Sequence, residues 1–333
     1  MLRIEKSENC SGKIFNEKKI KILKNTNFWV LDLPLDGDAP KQFIYVYEYS
    51  KNSNVRKQNK NSWIPYIAKT AEKWYPYESV VEYMINRIGQ TLGLNMNEVA
   101  LVKANKQIRF LSKYFLNLKI EKLVHGAEIC GQYLGDMPKA EEIANDKAQA
   151  RENFTFEFIK EAIRRVFPND FEKLTCEFVK MLVFDAIVGN NDRHFYNWGV
   201  IQNVRSTKKS VIFAPLYDSA RGLLWNFSEE NISKQLDAYT KQSGTKIEKY
   251  INGSKPRVSI DDNKEANHFE LVDFIGRYND EFKEIVLSLS SHEKEEEVFR
   301  MLENEIFIYF SQIRRDLTKI VLKERFNKIR NIL

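Results

Sequence analysis

The pattern of apolar and polar residues predicts a strand-rich first third of the chain, followed by a helix-rich remainder. Short segments of alternating or continuous apolar residues, bounded by polar ones, are typical of strands. Such segments occupy residues 14–33, 42–49, 63–70, 98–104 and 106–113. Residues 34–41 carry Gly37 and two prolines, so we expect a turn there.

Helical spacing of apolar residues appears once before residue 116 and repeatedly after it. Residues 79–92 form the early helix, and Gly93 is well suited to end it. The later helices are predicted at residues 154–167, 171–186, 268–289 and 295–329. The fold class is therefore expected to be α+β, with a long polar loop over residues 226–267.

Composition allows two lobes but gives no sign of a membrane or metal protein. The chain has 333 residues and is 43% hydrophobic, which is enough for two cores. Cys10, Cys130 and Cys176 lack the spacing of a metal site, and a reduced cytosolic setting is the simplest interpretation. Residues 1–24 lack a signal-peptide pattern, and no apolar run is long enough to span a membrane. We expect a cytoplasmic location, unless export uses a route without such a signal.

The net charge of +6 raises the question of a nucleic-acid partner. Basic residues are interleaved with nearly as many acidic ones, and no nucleic-acid-binding motif accompanies them. We therefore predict no dedicated nucleic-acid binding, and the oligomeric state stays open.

A polar loop between two apolar runs carries the first candidate chemistry. Residues 189–199 read Gly-Asn-Asn-Asp-Arg-His-Phe-Tyr-Asn-Trp-Gly. In phosphoryl transfer an Asp orients or deprotonates the attacking hydroxyl, and a nearby Asn binds Mg²⁺. Asp192 and Asn197 suit these roles. His194 either stabilises charge on the transferred group or holds the loop by hydrogen bonds. We expect Asp185 and Asn191 to brace the loop.

A second loop supplies the carboxylate that a Mg²⁺ site still needs. Residues 211–222 read Val-Ile-Phe-Ala-Pro-Leu-Tyr-Asp-Ser-Ala-Arg-Gly, in which a short strand is stopped by Pro215. Asp218 follows in a turn and is the natural second metal ligand, because Mg²⁺ prefers hard oxygen donors. We expect Asn197 and Asp218 to hold the metal.

Together the two loops resemble those of the HipA-like serine/threonine kinases of bacteria. The chain is most similar to the short, single-module members, in particular the cell-translocating kinase A type. The resemblance implies a two-lobed protein-kinase-like fold, with an antiparallel sheet and one main helix in the lobe at residues 1–115. Residues 116–333 would form a mainly helical lobe, and ATP would lie in the cleft with Mg²⁺.

The resemblance also implies roles for residues of the first lobe. Lys69, at the end of a predicted strand, would engage the nucleotide phosphates, and Glu82 on the following helix would orient it. At the hinge strand, the Ser112 carbonyl and the Tyr114 N–H would contact adenine. The acceptor would be a serine or threonine of a protein, and autophosphorylation is compatible with this mechanism.

One feature departs from the kinase pattern. Residues 50–62, where a glycine-rich phosphate loop is expected, contain no glycine. The residues that could replace its phosphate contacts are Ser53, Asn54, Arg56 and Lys57.

Two other functions remain open from the sequence. The Asp-Arg-His-x-x-Asn string also resembles the catalytic loop of phosphatidylinositol kinases, so a lipid could be the acceptor. The missing glycine-rich loop is compatible with an ATP-binding interaction module that transfers no phosphate.

Overall fold

The computed structural model describes residues 2–32, 40–48, 54–117, 119–205, 211–241 and 244–332. The strands are β1 Asn9–Cys10, β2 Lys21–Ile22, β3 Phe28–Leu31, β4 Lys41–Val46, β5 Ile64–Thr70, β6 Trp74–Tyr75, β7 Val99–Ala104, β8 Gln107–Lys113, β9 Glu121–His125, β10 Gly199–Asn203 and β11 Val211–Phe213. The helices are α1 Tyr77–Thr91, α2 Gly126–Leu134, α3 Met137–Asn145, α4 Lys147–Asn153, α5 Phe156–Val166, α6 Phe171–Val188, α7 Glu229–Lys241, α8 Thr245–Asn252, α9 His268–Tyr278, α10 Asp280–Leu289, α11 His292–Met301 and α12 Gln312–Arg330. The predicted α+β class is confirmed.

A six-stranded sheet dominates the first part of the chain. Its strand order is β2-β7-β8-β5-β4-β3, and every neighbouring pair is antiparallel except β2 with β7. The β7–β8 turn is tight because Asn105 and Lys106 both adopt positive φ. In this strand order β8 lies at the centre of the sheet, between β7 and β5. The end of β8 leads out toward the second part of the chain.

Helix α1 packs between this sheet and the helices of the second part. Its apolar residues, Val80, Val81, Met84, Ile85 and Ile88, are fully buried and belong to the same apolar cluster as α6, α9, α11 and α12. The helix ends where Gly93 adopts φ +83°, a left-handed conformation that glycine adopts without strain. Glu82 is thus carried on a helix that is fixed from both sides.

The second part is helical around a small sheet in which β10 pairs with both β9 and β11. Strands β10 and β11 flank the two candidate loops, as predicted, while β9 was missed in a region expected to be helical. No helix in the described ranges is both long and apolar enough to cross a membrane.

Several predicted boundaries were wrong. Residues 14–33 contain the short strands β2 and β3, with one 3-10 turn before β2 and a second between the strands, because polar Lys and Asn residues interrupt the apolar pattern. The polar stretch 226–267 is not one loop, since it contains α7 and α8. The long last helix is broken between α11 and α12 by the π-helical segment Leu302–Ile306 and a 3-10 turn. Most of the turn predicted at residues 34–41 lies outside the described residues.

Candidate active site

The loop predicted to carry the chemistry begins at the end of α6, the most buried helix of the second part. Gly189 closes α6 with φ +67° and donates its N–H to the Asp185 carbonyl. The chain then runs through residues 190–198 to β10, and Trp198 is fully buried at the far end. Both ends of the loop are therefore anchored in the core, which leaves its polar middle in a fixed position.

Arg193 is the internal anchor of this loop. Its guanidinium is buried and makes two hydrogen bonds of 2.9 Å to the Asp185 carboxylate. It also donates to the Asn197 carbonyl at 3.2 Å, the Tyr217 carbonyl at 2.7 Å and the Ser219 hydroxyl at 2.7 Å. One buried cation therefore holds the Asp192 loop and the Asp218 loop together.

The predicted brace by Asp185 is confirmed, but its amide partner is Asn190 rather than the Asn191 that we expected. Asn190 is buried, donates its side-chain amide to Asp185 at 2.9 Å and accepts the Asp192 N–H at 3.3 Å. Asn191 is exposed and takes part through its backbone. The sequence could not separate two adjacent asparagines, because only the end of α6 decides which one points inward.

Asp218 is held in an unusual backbone conformation at the end of its loop. Its φ is +53°, a region that costs free energy for residues other than glycine and is frequent at functional sites. Gly222, four residues on, lies so close to the Val188 carbonyl that an added Cβ would be 2.5 Å from that oxygen. The Asp218 loop is therefore packed directly against the end of α6.

Lys69, Glu82 and Asp218 meet although they are far apart in the sequence. The Lys69 Nζ lies 2.9 Å from a Glu82 carboxylate oxygen and 2.7 Å from an Asp218 carboxylate oxygen. Strand β5 supplies the lysine, α1 the glutamate and the loop after β11 the aspartate. The structure thus brings together three residues that were selected from separate segments.

The charges of this cluster follow from burial and from the lysine between the two acids. Burial alone would lower the pKa of Lys69, but the charges of Asp218 and Glu82 raise it above its usual value. Burial would raise the pKa of Asp218, but the charge and hydrogen bond of Lys69 lower it to about 2. Burial raises the pKa of Glu82 to about 7, against the opposing effect of Lys69. Lys69 is therefore a cation and Asp218 an anion at neutral pH.

The donor set of Asn197 and Asp218 fits a Mg²⁺ ion. The Asn197 side-chain N–H lies 3.4 Å from the Asp192 carbonyl, so its amide oxygen is directed away from that bond. In the described part of the chain, no three His, Cys, Asp or Glu residues cluster as a metal site. One amide and one carboxylate would hold a hard cation only together with other oxygen ligands, such as phosphate and water.

Asp192, the predicted base, is accessible and faces two arginines. Its side chain is 34% exposed, and one carboxylate oxygen accepts from Arg257 at 2.8 Å. The other carboxylate oxygen lies 3.9 Å from Arg221 Nε. Neither arginine was predicted to act here. Arg221 lies three residues after Asp218 and could have been found from that motif, whereas Arg257 lies in a polar stretch without any signal.

His194 makes local hydrogen bonds within the loop. Its backbone N–H donates to the Asp192 carbonyl at 2.8 Å, and its Nδ1 accepts the Tyr196 N–H at 3.2 Å. Burial lowers the pKa of His194, so the ring is neutral at neutral pH. Of the two roles expected from the sequence, these contacts favour holding the loop over contributing a positive charge.

Comparison with known proteins places the chain in a family. The family model of the HipA-like C-terminal domain matches residues 34–293. The chain belongs to the HipA-like family. A crystal structure of the Helicobacter pylori proinflammatory kinase CtkA matches with a TM-score of 0.68 and 18% identity, over 94% of this chain and 96% of that chain.

A second solved structure is the Shewanella oneidensis toxin–antitoxin protein HipA in complex with HipB and operator DNA. It gives a TM-score of 0.47 and 11% identity over 91% of this chain and 66% of that one. Comparison with curated proteins finds no match. At 18% identity, the CtkA match shows that this HipA-like chain has the predicted kinase-like fold. HipA-like membership together with that fold supports a kinase-type function.

In this HipA-like chain the backbone groups predicted to contact adenine, those of Ser112 and Tyr114, lie beside strand β5. The Tyr114 N–H, predicted to contact adenine, instead donates to the Pro65 carbonyl at 2.9 Å. Ser112 is paired with Ile67 of β5 within the sheet. Because antiparallel pairs alternate, Ser112 and Tyr114 both turn their backbone groups toward β5.

Pro65 lies opposite Tyr114 and leaves the Tyr114 carbonyl without a hydrogen-bond donor in the ladder. Pro65 has no N–H, so it accepts from Tyr114 but cannot donate back. The Tyr114 carbonyl therefore has no backbone donor opposite it on β5. Which backbone groups of this strand contact adenine stays a prediction.

Residues 50–62, where the phosphate loop is expected, are only partly described. Ser53 lies outside the described residues. Residues 56–59 form a tight turn, followed by the 3-10 helix Lys60–Ser62, and the Trp63 indole donates to the Arg56 carbonyl at 3.0 Å. The candidate phosphate contacts Asn54, Arg56 and Lys57 therefore lie at or beside an ordered turn, and their role remains a prediction.

Proposed function

We propose that the protein is an ATP-dependent serine/threonine protein kinase of the HipA-like type. The observation that carries this proposal is the contact of Lys69 with both Glu82 and Asp218. A lysine held between a helix glutamate and the aspartate of a metal loop is the arrangement that protein kinases require for phosphoryl transfer.

The proposed roles follow from the position of each group. Lys69, oriented by Glu82, binds the phosphates of ATP, and the Tyr114 carbonyl binds the adenine edge. Asn197 and Asp218 would hold Mg²⁺, which when bound neutralises charge on the phosphates. Asp192 accepts the proton of the acceptor hydroxyl as that oxygen attacks the γ-phosphorus, and the bond from the γ-phosphorus to the β–γ bridging oxygen breaks to release ADP.

The acceptor is proposed to be a serine or threonine hydroxyl of a protein, including this protein itself. The accessible Asp192 and the position of its loop at the edge of the buried core support an acceptor that approaches from solvent. A lipid acceptor would also present a hydroxyl, so the assay needs both classes.

The test is transfer of labelled γ-phosphate from Mg-ATP to the protein itself, to casein and to vesicles containing phosphatidylinositol. Asp192→Ala and Asp218→Ala should each reduce labelling at least 100-fold, because the loss of one such group removes several kcal/mol of transition-state stabilisation. Asp237→Ala, on the exposed face of α7, is the matched control and should retain full activity.

Three results would contradict the proposal. ATP binding without transfer to any acceptor would indicate an interaction module. Transfer to the vesicles but not to protein would indicate a lipid kinase. Full activity of both loop variants would remove Asp192 and Asp218 from the mechanism.

A further inference from the structure

The candidate base is approached through a group of cations that the kinase chemistry described so far does not use. Arg257 donates to one oxygen of Asp192 through both Nη2 at 2.8 Å and Nε at 3.3 Å. Arg221 lies 3.9 Å from the other oxygen. Both arginine side chains are about five-sixths buried, at 16% and 17% exposure. They therefore form part of the wall beside Asp192 and are not mobile surface groups.

Lys147, at the start of α4, adds a third cation. Its Nζ donates to the carbonyls of Asn191 at 3.3 Å and Lys255 at 3.2 Å, which places it against the catalytic loop. Burial lowers the pKa of Lys147, and the positive charge of Arg257 lowers it further, with Asp192 acting in the opposite direction. Lys255 lies two residues before Arg257 in the chain, so these contacts place the cations in one small region.

The segment that carries Arg257, residues 254–267, is firmly attached to the second lobe. We call it the strap. Arg151 donates to three of its carbonyls, those of Pro256, Lys264 and Ala266. Ser254 donates to the Gly189 carbonyl at 3.2 Å, and Ser259 accepts the Phe156 N–H at 2.9 Å. Arg257 is therefore positioned as rigidly as the catalytic loop itself.

The charges in this region do not balance. Asp192 is the carboxylate that pairs with Arg257 and the acid whose charge acts on Lys147, whereas the hydrogen bonds of Lys147 are to neutral carbonyl groups. Arg221 has Glu78 at 3.6 Å in addition. Partly buried positive charge without matching negative charge is costly unless an anion binds there.

The nucleotide is a less suitable source of that anion than the acceptor. The groups expected to bind phosphates and metal are Lys69, Asn197 and Asp218, and Lys69 and Asp218 contact each other. Among the described side-chain hydrogen bonds and ion pairs, those of Arg257 and Lys147 reach none of these three. Arg257 and Lys147 border Asp192, the carboxylate that accepts the proton of the acceptor hydroxyl. An anion bound to these two cations would therefore lie next to that hydroxyl.

We propose that Arg257, Lys147 and Arg221 select an acidic acceptor, in which Asp or Glu residues flank the serine or threonine. This inference rests on the proposed kinase function and names its substrate class. Arg257 makes the main contact, because its planar guanidinium can bind a carboxylate of the acceptor while remaining beside Asp192. The same charges would bind a phosphate group on an acceptor that is already phosphorylated.

The experiment compares peptides that share one acceptor serine and differ in the flanking residues: acidic, phosphorylated, alanine or lysine. We expect kcat/KM of the wild type to be at least tenfold higher for the acidic peptide than for the lysine peptide, since a hydrogen bond to a charged group contributes a factor of this order. In Arg257→Gln and Lys147→Gln this ratio should fall toward one, whereas Arg257→Lys, which keeps the charge but loses the planar guanidinium, should give an intermediate ratio. The ratio within each variant cancels any general loss of activity.

Lys264→Gln is the matched control. Lys264 lies in the same strap but pairs with Asp261 at 3.5 Å, so its ratio should remain that of the wild type. A second measurement uses fluorescence anisotropy to follow binding of the labelled acidic peptide to the Asp192→Asn variant. Binding should weaken when Arg257→Gln is added to that variant, and it should weaken with added salt.

The possible failures are distinguishable. Equal rates for acidic and basic peptides, or a preference for the basic one, would overturn this inference and leave the kinase function intact. The same would hold if Arg257→Gln slowed all peptides equally, because Arg257 would then only orient Asp192 or contact the nucleotide. A preference for phosphatidylinositol vesicles over every peptide would also overturn it. The absence of any phosphate transfer would overturn the proposed function and this inference together.

Discussion

Arg193 shows how a single residue can determine the geometry of a whole site. Its guanidinium uses its N–H groups on the Asp185 carboxylate, two carbonyls and one hydroxyl, and all of these contacts are buried except the partly buried one to the Tyr217 carbonyl. Breaking a buried ion pair leaves the partner charge without compensation, whereas replacing both partners by apolar groups costs much less. Structural and catalytic contributions of Arg193 can therefore be separated.

Arg193→Met should lower the free energy of unfolding by about 3–5 kcal/mol, because Asp185 would remain buried and unpaired. The double variant Arg193→Met/Asp185→Leu should recover a large part of that loss. We expect its phosphate transfer to stay at least 100-fold below wild type, because the Asn197 and Tyr217 carbonyls no longer share a donor. Urea denaturation and the labelling assay measure the two effects.

An exposed pair serves as the control for this prediction. Arg164→Met removes the partner of Glu161 on α5, where both side chains are about half exposed, and should change stability by less than about 1 kcal/mol. Full activity in the stable double variant would show that the two loops keep their positions without Arg193.

At the scale of elements, the pairing of β5 with β8 determines which backbone groups face the cleft. A proline within a central strand is unusual, since it removes a ladder hydrogen bond. Here the missing donor is the one that would have reached the Tyr114 carbonyl. The proline therefore ends the ladder at the point where the hinge begins, and it leaves one acceptor available.

Pro65→Ala should restore that ladder hydrogen bond and so compete with adenine for the Tyr114 carbonyl. We expect the KM for ATP to rise about 3–10-fold, which corresponds to roughly one hydrogen bond, while kcat changes little. Steady-state kinetics with varied ATP measures both quantities. Ile64→Ala, one position earlier in β5, is the control, and an unchanged KM in Pro65→Ala would mean that the base is read elsewhere.

At the scale of the whole molecule, α9 and the helices after it pack close to the catalytic loop. His268, the first residue of α9, is buried, and its Nε2 has no hydrogen-bond partner among the described residues. Burial, together with the positive charges of Arg325 and Lys147, lowers the pKa of His268 well below its usual value. The native protein therefore keeps this imidazole neutral in mildly acidic solution.

This predicts a specific loss of stability in acid. Below pH 6.5 the unfolded chain binds a proton at His268 that the folded protein does not bind, so the free energy of unfolding falls as pH decreases. The loss is about 1.4 kcal/mol per pH unit from this residue, until its lowered folded-state pKa is reached. His268→Gln should remove this contribution, so its stability between pH 6.5 and 5 should fall less steeply than that of the wild type.

His292 provides the comparison, because its side chain is 81% exposed. His292→Gln should follow the wild-type dependence on pH when both are measured by urea denaturation at each pH. Equal slopes for His268→Gln and wild type would show that His268 gains a proton in the folded state as readily as in the unfolded chain.

The sequence alone determined the fold class, the main helices and the chemistry-bearing loops. Apolar spacing identified α1, α5 and α6, because burial of one helical face leaves a period that local sequence records. Asp192, Asn197 and Asp218 were found because each lies in a short polar loop beside an apolar strand. These signals depend only on neighbouring residues.

Tertiary structure decided the contacts between distant segments. The packing of separate elements brings Lys69 to Asp218 and Arg257 to Asp192. It also decides that Asn190, and not Asn191, points inward. The bond between the Tyr114 N–H and the Pro65 carbonyl depends on which strand lies opposite Tyr114. No local pattern records such neighbours, because burial and pairing between remote segments are set by the packed core as a whole.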